Sequence, residues 1–249
     1  MSIKLQMTGT GNAFGKLFFN NNALIHSGGY QLMIDFGQTA SLALYQMGVQ
    51  LNQINGVLIT HLHADHIGGL EELAFQAMYR SGHRKGKIQL FIGEQLVEPL
   101  WEHSLKAGLL NEKEGYTSLD SYFDVQIMQE GVPFRICEEL TIELIRTEHI
   151  PGKTSYSLLL NEHIFYSADL IFDRSLLEHI VYTRHVDVIL HDCQFVGKGI
   201  VHATLDELMT LPDDIQSLIY LMHYDDEMPK FAGRTGKMKV IQQHKLYTF

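Results

Sequence analysis

Short apolar segments separated by polar turns recur along this chain, and their lengths suit β-strands. Their composition is typical of strands that are buried on one or both faces. They are residues 3–7, 31–34, 57–60, 88–92, 140–146, 157–160, 164–167, 186–190 and 218–222. In residues 140–146 the apolar positions alternate with Thr141 and Glu143, which predicts a half-buried strand, and Asn161-Glu162 predicts the turn of a hairpin.

Amphipathic helices are predicted between these strands. One of them has apolar residues at the spacing i, i+3, i+4, i+7 and i+8. Those residues are Leu70, Leu73, Ala74, Ala77 and Met78. Residues 96–105 and 176–181 predict two further helices, and Thr204 with Glu207 forms a capping box that starts another one. Strands and helices are mixed throughout, which predicts an α/β or an α+β fold in a single domain that covers residues 1–249.

Residues 106–123 interrupt this pattern because they are polar and irregular. The segment lies between a predicted helix and the next predicted strand. We expect it to run over the functional site, and it is therefore a candidate lid.

The overall composition is that of a folded protein in a reducing compartment. Apolar residues make up 45% of the sequence and charged residues 19%, so a sizeable core is expected. No apolar run approaches the roughly 18 residues that a membrane-spanning helix needs, and the first residues lack a signal-peptide pattern. The two cysteines, Cys137 and Cys193, are too few for a disulfide framework. These features predict a cytoplasmic location and no membrane partner.

The charge balance is acidic, with 19 Lys and Arg against 29 Asp and Glu and a formal net charge of −10. Proteins that bind long nucleic acids usually neutralise several phosphates with clustered basic residues. No basic cluster stands out in this sequence, so a long nucleic acid is not an expected partner. A small anionic substrate is compatible with the charge, because metal ions can supply positive charge locally.

The densest chemical signal lies in residues 60–66, Thr-His-Leu-His-Ala-Asp-His, which directly follow a predicted strand. Four potential ligands on one loop cannot all bind a single ion with good geometry. They can bind two ions side by side, with His61 and His63 on one ion and Asp65 and His66 on the other. Imidazole nitrogen and carboxylate oxygen suit zinc, and also manganese or iron.

Three more candidate ligands, His149, Asp169 and His223, each lie at or just beyond the carboxyl end of an apolar segment. Strand ends place side chains on one rim of a sheet, where sites are usually built. A carboxylate can bridge two cations, so Asp169 is predicted to belong to both ligand sets. The sets are His61, His63, His149 and Asp169 for one ion, and Asp65, His66, Asp169 and His223 for the other. Metals about 3.5–4 Å apart can activate a hydroxide and clamp a phosphoryl group.

An acid–base pair is predicted downstream. Asp192 follows the segment 186–190, and His202 lies just before the Thr204 cap. A carboxylate that orients an imidazole suits general-acid catalysis, so Asp192 and His202, together with Asp65, are the candidate catalytic residues. Cys193 is predicted to be a small buried hydrophobic residue. The histidines without a comparable context are predicted to be structural or on the surface: His26, His83, His103, His163, His179, His185 and His244.

The ligand pattern resembles the metallo-β-lactamase superfamily. The residues that carry the resemblance are His61, His63, Asp65, His66, His149, Asp169 and His223. The resemblance implies an αββα sandwich with its metals at the strand ends, and it runs from the turn at Gly9 through most of the chain. Hydrolytic β-lactamases usually lack the last histidine of the motif, so His66 argues against them. The combination with His202-Ala203-Thr204 is similar to the tRNA 3′-processing endonucleases and their phosphodiesterase relatives.

Four further segments narrow this resemblance. They are Asn-Asn-Asn-Ala-Leu at 20–24, Arg-Thr-Glu-His-Ile-Pro at 146–151, His-Asp-Cys-Gln at 191–194 and Tyr-Leu-Met-His-Tyr at 220–224. They are similar to the anti-Pycsar phosphodiesterases, which are phage proteins with bacterial homologues. The resemblance implies a homodimer with two Zn²⁺ per chain, for which Mn²⁺ could substitute. It also implies hydrolysis of 3′,5′-cyclic CMP, UMP, AMP and GMP to nucleoside monophosphates, which counteracts a cyclic-nucleotide antiviral signal.

An RNA 3′-processing nuclease with the same metal centre is the alternative function. Against it, Asp192 stands where those endonucleases carry Glu, residues 15–19 lack the Pro and Arg expected there, and no long Gly/Pro-rich arm is apparent. A third hypothesis is a non-catalytic protein that sequesters nucleotides, but such a protein needs neither the ligand sets nor an acid. The base preference is left open. Six aromatic residues could stack on a base: Tyr116, Tyr122, Phe123, Tyr156, Phe195 and Tyr224.

Overall fold

The strands of the computed structural model, which describes residues 3–79 and 86–249, form two seven-stranded sheets. The first sheet contains β1 (Lys4–Gly9), β2 (Asn22–Ser27), β3 (Tyr30–Ile34), β4 (Gly56–Ile59), β5 (Ile88–Gly93), β6 (Phe123–Met128) and β14 (Leu246–Thr248). The second contains β7 (Phe134–Cys137), β8 (Leu140–Thr147), β9 (Ser155–Leu160), β10 (Ile164–Tyr166), β11 (Val188–Asp192), β12 (Ile219–Met222) and β13 (Lys239–Val240). The strand orders are β14-β1-β2-β3-β4-β5-β6 and β13-β12-β11-β10-β9-β8-β7.

The central strands of the second sheet are buried on both faces. Leu158 and Leu160 of β9 belong to a core that they share with the first sheet, whereas Leu159 between them belongs to a second apolar cluster. The same alternation separates Leu190 from Ile189 in β11. Side chains of a strand point to opposite faces in turn, so the second sheet must be covered on both sides.

Helices provide the outer layers. They are α1 (Ala40–Gln46), α2 (Ala64–Ile67), α3 (Leu70–Tyr79), α4 (Glu94–Leu100), α5 (Lys106–Leu109), α6 (Leu119–Tyr122), α7 (Arg174–Tyr182), α8 (Leu205–Leu208) and α9 (Asp213–Leu218). Short 3₁₀ turns at Leu51–Gln53, Glu112–Glu114 and Met228–Phe231 and a π-helical turn at Trp101–Leu105 complete the helical segments. Apolar residues of α1, α3 and α4 join the shared core, and those of α7, α8 and α9 join the second cluster. The predicted αββα sandwich is thus confirmed. Within the described residues, no helix is both long and apolar enough to cross a membrane.

Every apolar segment identified in the sequence overlaps a strand, but β2, β6, β7, β13 and β14 were not predicted. The segment of β2 begins in a run of asparagines, which disguises it as a loop. The hairpin turn is confirmed, because Asn161 and Glu162 have φ angles of 48° and 62°. The capping box also forms, with Glu207 N donating to Thr204 Oγ1 over 3.2 Å. The apolar–polar alternation in β8 predicted that Glu143 lies on the exposed face, but Glu143 is buried. Arg184 Nη2 lies 2.8 Å from Glu143 Oε2 and balances its charge.

The candidate lid is more regular than its composition indicates. Residues 106–123 contain α5, a 3₁₀ turn and α6. Leu109, Leu119 and Tyr122 anchor the segment in the shared core. The polar residues between these anchors obscured the short helices in the sequence.

The strand directions explain where the functional side chains meet. Because β9 is antiparallel to both β8 and β10, the strands β8 and β10 run in the same direction. The strands β11 and β12 continue this direction, since β10, β11 and β12 pair in parallel. The carboxyl ends of all four strands therefore lie at one edge of the second sheet.

Candidate metal centre and acid pair

Seven side chains meet at this edge in two groups of potential ligands. The groups are His61, His63, His149 and Asp169, and Asp65, His66, Asp169 and His223. Within each group, one ligand atom per residue lies within 4.8 Å of all the others. The groups coincide with the two ligand sets predicted from the sequence, and Asp169 belongs to both.

In the first group, three ring nitrogens and one carboxylate oxygen approach one another. His63 Nδ1 lies 3.1 Å from His61 Nε2 and 3.2 Å from His149 Nε2. Asp169 Oδ2 lies 3.6 Å from His61 Nε2 and 3.5 Å from His149 Nε2. Such a set of nitrogen and oxygen donors suits a divalent transition metal.

The second group uses the other oxygen of the shared carboxylate. Asp169 Oδ1 lies 3.3 Å from His66 Nε2 and 3.3 Å from His223 Nε2. Asp65 Oδ2 lies 3.4 Å from His66 Nε2 and 3.3 Å from His223 Nε2. The two oxygens of Asp169 thus address different groups, as expected of a bridging carboxylate.

Two buried atoms of the second group indicate that a cation fits there. His66 Nε2 and Asp169 Oδ1 are inaccessible to solvent, and neither has a hydrogen-bond partner among residues 3–79 and 86–249. Buried polar atoms are rarely left without a partner, because the loss of hydration is costly. A metal ion between them would satisfy both lone pairs.

The electrostatic environment of the first group keeps its imidazoles neutral. Burial lowers the pKa of His61, His63 and His149 below the usual range, and neighbouring histidines add to the effect. Only a neutral imidazole offers a lone pair to a metal ion. These histidines are therefore in the form that binds a cation.

The carboxylates of the site are held in the ionised form. Burial alone would raise the pKa of Asp65 and Asp169, but the neighbouring His66 and His223 outweigh it and lower both values. Conversely, burial opposes the charged form of His66, but the carboxylates of Asp169, Asp35 and Asp65 raise its pKa well above the usual range. A cation would replace the Nε2 proton of His66 as the partner of Asp65 and Asp169.

Asp35, at the end of β3, orients the last histidine of the motif. Its Oδ2 accepts a hydrogen bond from His66 Nδ1 over 2.7 Å, which leaves His66 Nε2 to face the second group. The same carboxylate accepts from Thr60 N over 2.9 Å and from Thr60 Oγ1 over 2.8 Å. A carboxylate behind a histidine ligand fixes the tautomer and the ring orientation.

The asparagine run holds three loops of the site together. Asn21 Oδ1 accepts from the backbone of His223 over 3.3 Å. Asn22 donates to the carbonyl oxygen of Asp65 over 3.3 Å and accepts from Gly37 N over 2.9 Å. A Cβ atom at Gly37 would lie only 1.9 Å from the Asp65 carbonyl oxygen, so the backbones can approach this closely only with glycine.

Backbone strain concentrates at the same edge. Asp35, Ala168 and His223 have φ angles of 61°, 51° and 53°, and each follows the end of a strand. Residues other than glycine rarely adopt this left-handed region, and they persist in it where the surroundings enforce it. The unusual turns re-aim the side chains of Asp169 and His223 from the strand ends toward the ligand groups.

Asp192 and His202 form the predicted pair beside the ligand groups. His202 Nδ1 lies 2.9 Å from Asp192 Oδ2, and the imidazole is 21% exposed. Its ring centroid is 4.9 Å from that of His149 and 4.8 Å from that of His223, so it borders both groups. Burial opposes protonation of His202, but the hydrogen bond to Asp192 and the charge of that carboxylate raise the pKa.

Two cavities open beside the centre. The larger, of about 890 Å³, is lined by His202, His63, Asp65 and by exposed apolar residues that include Phe14 and Ile200. The smaller, of about 490 Å³, is bordered by His61, His63 and His149 on one side and by Gln95, His103 and Lys153 on the other. The larger cavity is the one that gives access to the Asp192–His202 pair.

The family model of Anti-Pycsar protein Apyc1 matches residues 3–247 of this chain. The chain belongs to the Apyc1 family. An Anti-Pycsar protein Apyc1 from Paenibacillus xerothermodurans is 52% identical over 249 residues, which are 100% of this chain and 98% of that protein. An Anti-Pycsar protein Apyc1 from Bacillus phage vB_BveM-Goe7 is 41% identical, with 96% of each chain covered.

A solved structure supports the fold of this Apyc1-family chain. The metallo-β-lactamase fold protein YhfI from Bacillus subtilis superposes with a TM-score of 0.76 over 100% of both chains, at 19% sequence identity. The chain has the metallo-β-lactamase fold, as its ligand pattern predicted. The resemblance to the anti-Pycsar proteins is likewise confirmed.

Sequence reasoning missed several residues of this Apyc1-family site. Asp35 carries no local signal, Asn21 entered only through the resemblance of residues 20–24, and Phe14 lies in a Gly-rich turn. Of the six aromatic residues considered for base stacking, Tyr122, Phe123, Tyr156, Phe195 and Tyr224 are buried in the cores, and Tyr116 packs against the shared core. Phe14, which is 85% exposed at the larger cavity, is the better candidate.

The remaining predictions for single residues have mixed outcomes. Cys193 is fully buried, as predicted, and burial raises the pKa of its thiol. His103 is exposed at the surface, as predicted, and it also lines the smaller cavity. His163 is exposed at the surface, as predicted, and His83 lies outside the described residues.

Proposed function

We propose that this protein is a dimetal phosphodiesterase that hydrolyses 3′,5′-cyclic mononucleotides to nucleoside monophosphates and so opposes cyclic-nucleotide antiviral signalling. The observation that carries the proposal is the position of His202. Its imidazole borders both ligand groups, is oriented by a buried carboxylate and lines the larger cavity. Membership of the Apyc1 family supports this function, because the family is described as anti-Pycsar.

The ligand groups would hold two ions, with zinc as the expected metal and manganese as the alternative. His61, His63, His149 and Asp169 would hold one ion, and Asp65, His66, Asp169 and His223 the other. When bound, such a pair of ions supplies an activated water and neutralises charge on a phosphoryl group. Asp65 and Asp169 would contribute negative charge to hold both cations.

His202 would protonate the departing ribose oxygen. Asp192 accepts the hydrogen bond from His202 Nδ1, so Nε2 is the nitrogen available to the cavity. A ribose alkoxide is a poor leaving group near neutral pH, and a histidine has a pKa suited to proton donation there. The Asp192 carboxylate stabilises the protonated imidazole before the transfer.

The cavity supports a small substrate. Its volume of about 890 Å³ is within the range of pockets that enclose a single small ligand. Asp225, Asp226 and Glu227 line it, and the whole chain carries a net charge of −10. A long RNA would be repelled by this charge, which favours a mononucleotide over the alternative substrate, precursor tRNA.

We further propose that the chain acts as a cytoplasmic homodimer and that residues 1–249 form one domain. The core shared by the two sheets supports a single domain. Residues 106–123 remain the candidate lid. The residues that line the two cavities come from segments of the chain other than 106–123. The lid would therefore act on the site of a neighbouring subunit.

The test is a screen of the zinc-loaded and the manganese-loaded protein by HPLC. The substrates are cyclic CMP, UMP, AMP and GMP, a cyclic dinucleotide and precursor tRNA. We expect multiple turnovers on at least one cyclic mononucleotide and none on tRNA, and Asp169→Ala should abolish them. His163→Ala is the matched control, because it removes an exposed histidine outside the site and should retain full activity. Processing of tRNA at a comparable rate would favour the nuclease, and binding without turnover would favour a sequestering protein.

A further inference from the structure

His191 is a fully buried histidine on β11 that the proposed mechanism does not use. It lies one residue before Asp192. Along this strand Ile189 and Cys193 belong to the apolar cluster under α7, α8 and α9, and alternation places His191 on the same face. A polar ring is costly to bury in an apolar layer unless its hydrogen bonds are satisfied.

Of the two ring nitrogens of His191, only Nδ1 has a hydrogen-bond partner in the described part of the chain. Its Nδ1 lies 2.7 Å from the carbonyl oxygen of Asp192 and 3.1 Å from Asp192 Oδ1. A carbonyl oxygen can only accept, so this contact assigns the proton of His191 to Nδ1. His191 Nε2 is buried without a partner among residues 3–79 and 86–249. The polar contacts of the buried His191 ring are therefore those of Nδ1 with Asp192.

Asp192 stands between two histidines. Its Oδ2 accepts from His202 Nδ1 over 2.9 Å and from Leu170 N over 3.3 Å. Its Oδ1 is buried and has no well-aligned hydrogen bond in the described part of the chain, and the polar atom at 3.1 Å is His191 Nδ1. Without that neighbour, only the hydrogen bonds of Oδ2 would oppose rotation of the carboxylate, and the orientation of His202 would be less defined.

We propose that His191 is a positioning residue that fixes the Asp192 carboxylate and through it the orientation and tautomer of His202. The inference rests on the proposed function, in which His202 is the acid. It extends the pair to a relay of three residues, His191, Asp192 and His202. The N–H group of His191, 3.1 Å from Asp192 Oδ1, opposes rotation of the carboxylate. The carboxylate in turn holds the Nδ1 proton of His202, so that Nε2 faces the cavity and delivers the proton in the acid step.

Three substitutions separate positioning from packing. Leucine at position 191 removes both nitrogens, so His191→Leu should lower kcat about tenfold, because the Asp192 carboxylate loses its polar neighbour on the Oδ1 side. His191→Asn keeps a donor two bonds beyond Cβ, where Nδ1 stands, and should restore most of the rate. His191→Gln places its donor one bond farther, where Nε2 stands, and should not restore it. KM and the metal content should stay within about twofold in all three.

Two readouts distinguish this role from a structural one. The variants are assayed on the cyclic mononucleotide that the wild type hydrolyses fastest and on bis-p-nitrophenyl phosphate, whose leaving group needs little protonation. His191→Leu should be slow on the first substrate only. In a His202→Ala background it should have no further effect, because residues that act through one another are not additive. Equal losses on both substrates, or additive losses, would overturn the inference.

A third readout does not depend on turnover. In protein with ¹⁵N-labelled histidine rings, at a pH above the pKa of His202, NMR should show His202 as the Nδ1–H tautomer in the wild type and in His191→Asn. His191→Leu should shift the His202 ring signals toward a mixture of tautomers. Unchanged His202 signals in His191→Leu would reject the positioning role of His191. Inactivity of the wild type on every cyclic mononucleotide would instead reject the proposed function, and the NMR result would still stand.

Discussion

Asp35→Asn is the most specific perturbation that the metal centre offers. The carboxylate of Asp35 accepts three hydrogen bonds, one at Oδ1 from Thr60 N and two at Oδ2, from Thr60 Oγ1 and His66 Nδ1. In asparagine, one oxygen is replaced by an amide nitrogen that can donate but cannot accept. The Thr60 hydroxyl can rotate to become the acceptor, but His66 cannot adapt without moving its proton.

The consequence for His66 follows from its two nitrogens. If Nδ1 accepts a hydrogen bond from the amide, the proton of the neutral ring lies on Nε2, the nitrogen that faces Asp65 and Asp169. That proton occupies the lone pair needed for a metal ion. Hydrogen bonds to charged groups are worth about 1.5–3 kcal/mol, and substitution of a residue that hydrogen-bonds to a metal ligand typically costs about 10–100-fold in metal affinity. We expect the affinity for the second ion to fall by about that factor.

The backbone conformation at position 35 can accommodate asparagine without strain beyond that of aspartate. Asp35 has a φ of 61°, a region that asparagine tolerates at least as well as aspartate. The affinity is measured by competition with a chromophoric chelator, together with the metal content after gel filtration. Asp173→Asn is the matched control, since Asp173 is an exposed N-cap of α7 and asparagine caps equally well. Two ions bound with wild-type affinity in Asp35→Asn would refute the role of Asp35 in fixing the His66 tautomer.

Three further predictions test the site as a whole. Elemental analysis should find about two metal ions per chain, and chelation should lower the melting temperature because it leaves buried ligand atoms unsatisfied; a single ion, with Asp169→Ala unchanged, would contradict the two-ion arrangement. His202→Ala should lose about 10²–10⁴-fold in kcat on cyclic nucleotides, keep both metals and recover on bis-p-nitrophenyl phosphate. Since Asp192, His202 and His223 also lie within 4.8 Å of one another, loss of metal would identify His202 as a ligand instead. Light scattering should show a dimer at micromolar concentration, and a monomer would contradict the dimer. Replacing the exposed turn 112–114 with glycine and serine should lower the activity without removing the buried anchors of the lid, and full activity would contradict the lid.

The candidate ligands could be identified from the sequence because the chemistry there is local. His61, His63, Asp65 and His66 lie on one loop, and a polar loop without a metal rarely concentrates so many ligand side chains. Asp169 and His223 follow apolar strands, and the ends of parallel strands meet at one edge. Strand direction and position in the chain were therefore sufficient to bring these side chains together in a prediction.

The residues that hydrogen-bond to the ligands, such as Asp35 and Asn21, could not be predicted from strand ends and local motifs. Asp35 is 31 positions from His66, and Asn21 is 202 positions from His223, although both pairs are in contact. Hydrogen bonds of this kind depend on how the two sheets pack. Nothing in the local sequence of Asp35 or Asn21 distinguishes a residue that orients a ligand from a residue in a turn.

Taken alone, the sequence predicted the candidate ligands, the Asp192–His202 pair and a mixed α and β fold, because apolar periodicity and dense motifs are properties of neighbouring residues. The αββα sandwich followed from the resemblance to a known family. Only the tertiary structure decided that Asp35 and His191 stand behind the reactive side chains, that Glu143 is buried, and that Phe14 borders the cavity. These features arise from burial and from contacts between distant segments. Their free energies depend on the surroundings that packing creates, and a residue's neighbours in the chain do not reveal those surroundings.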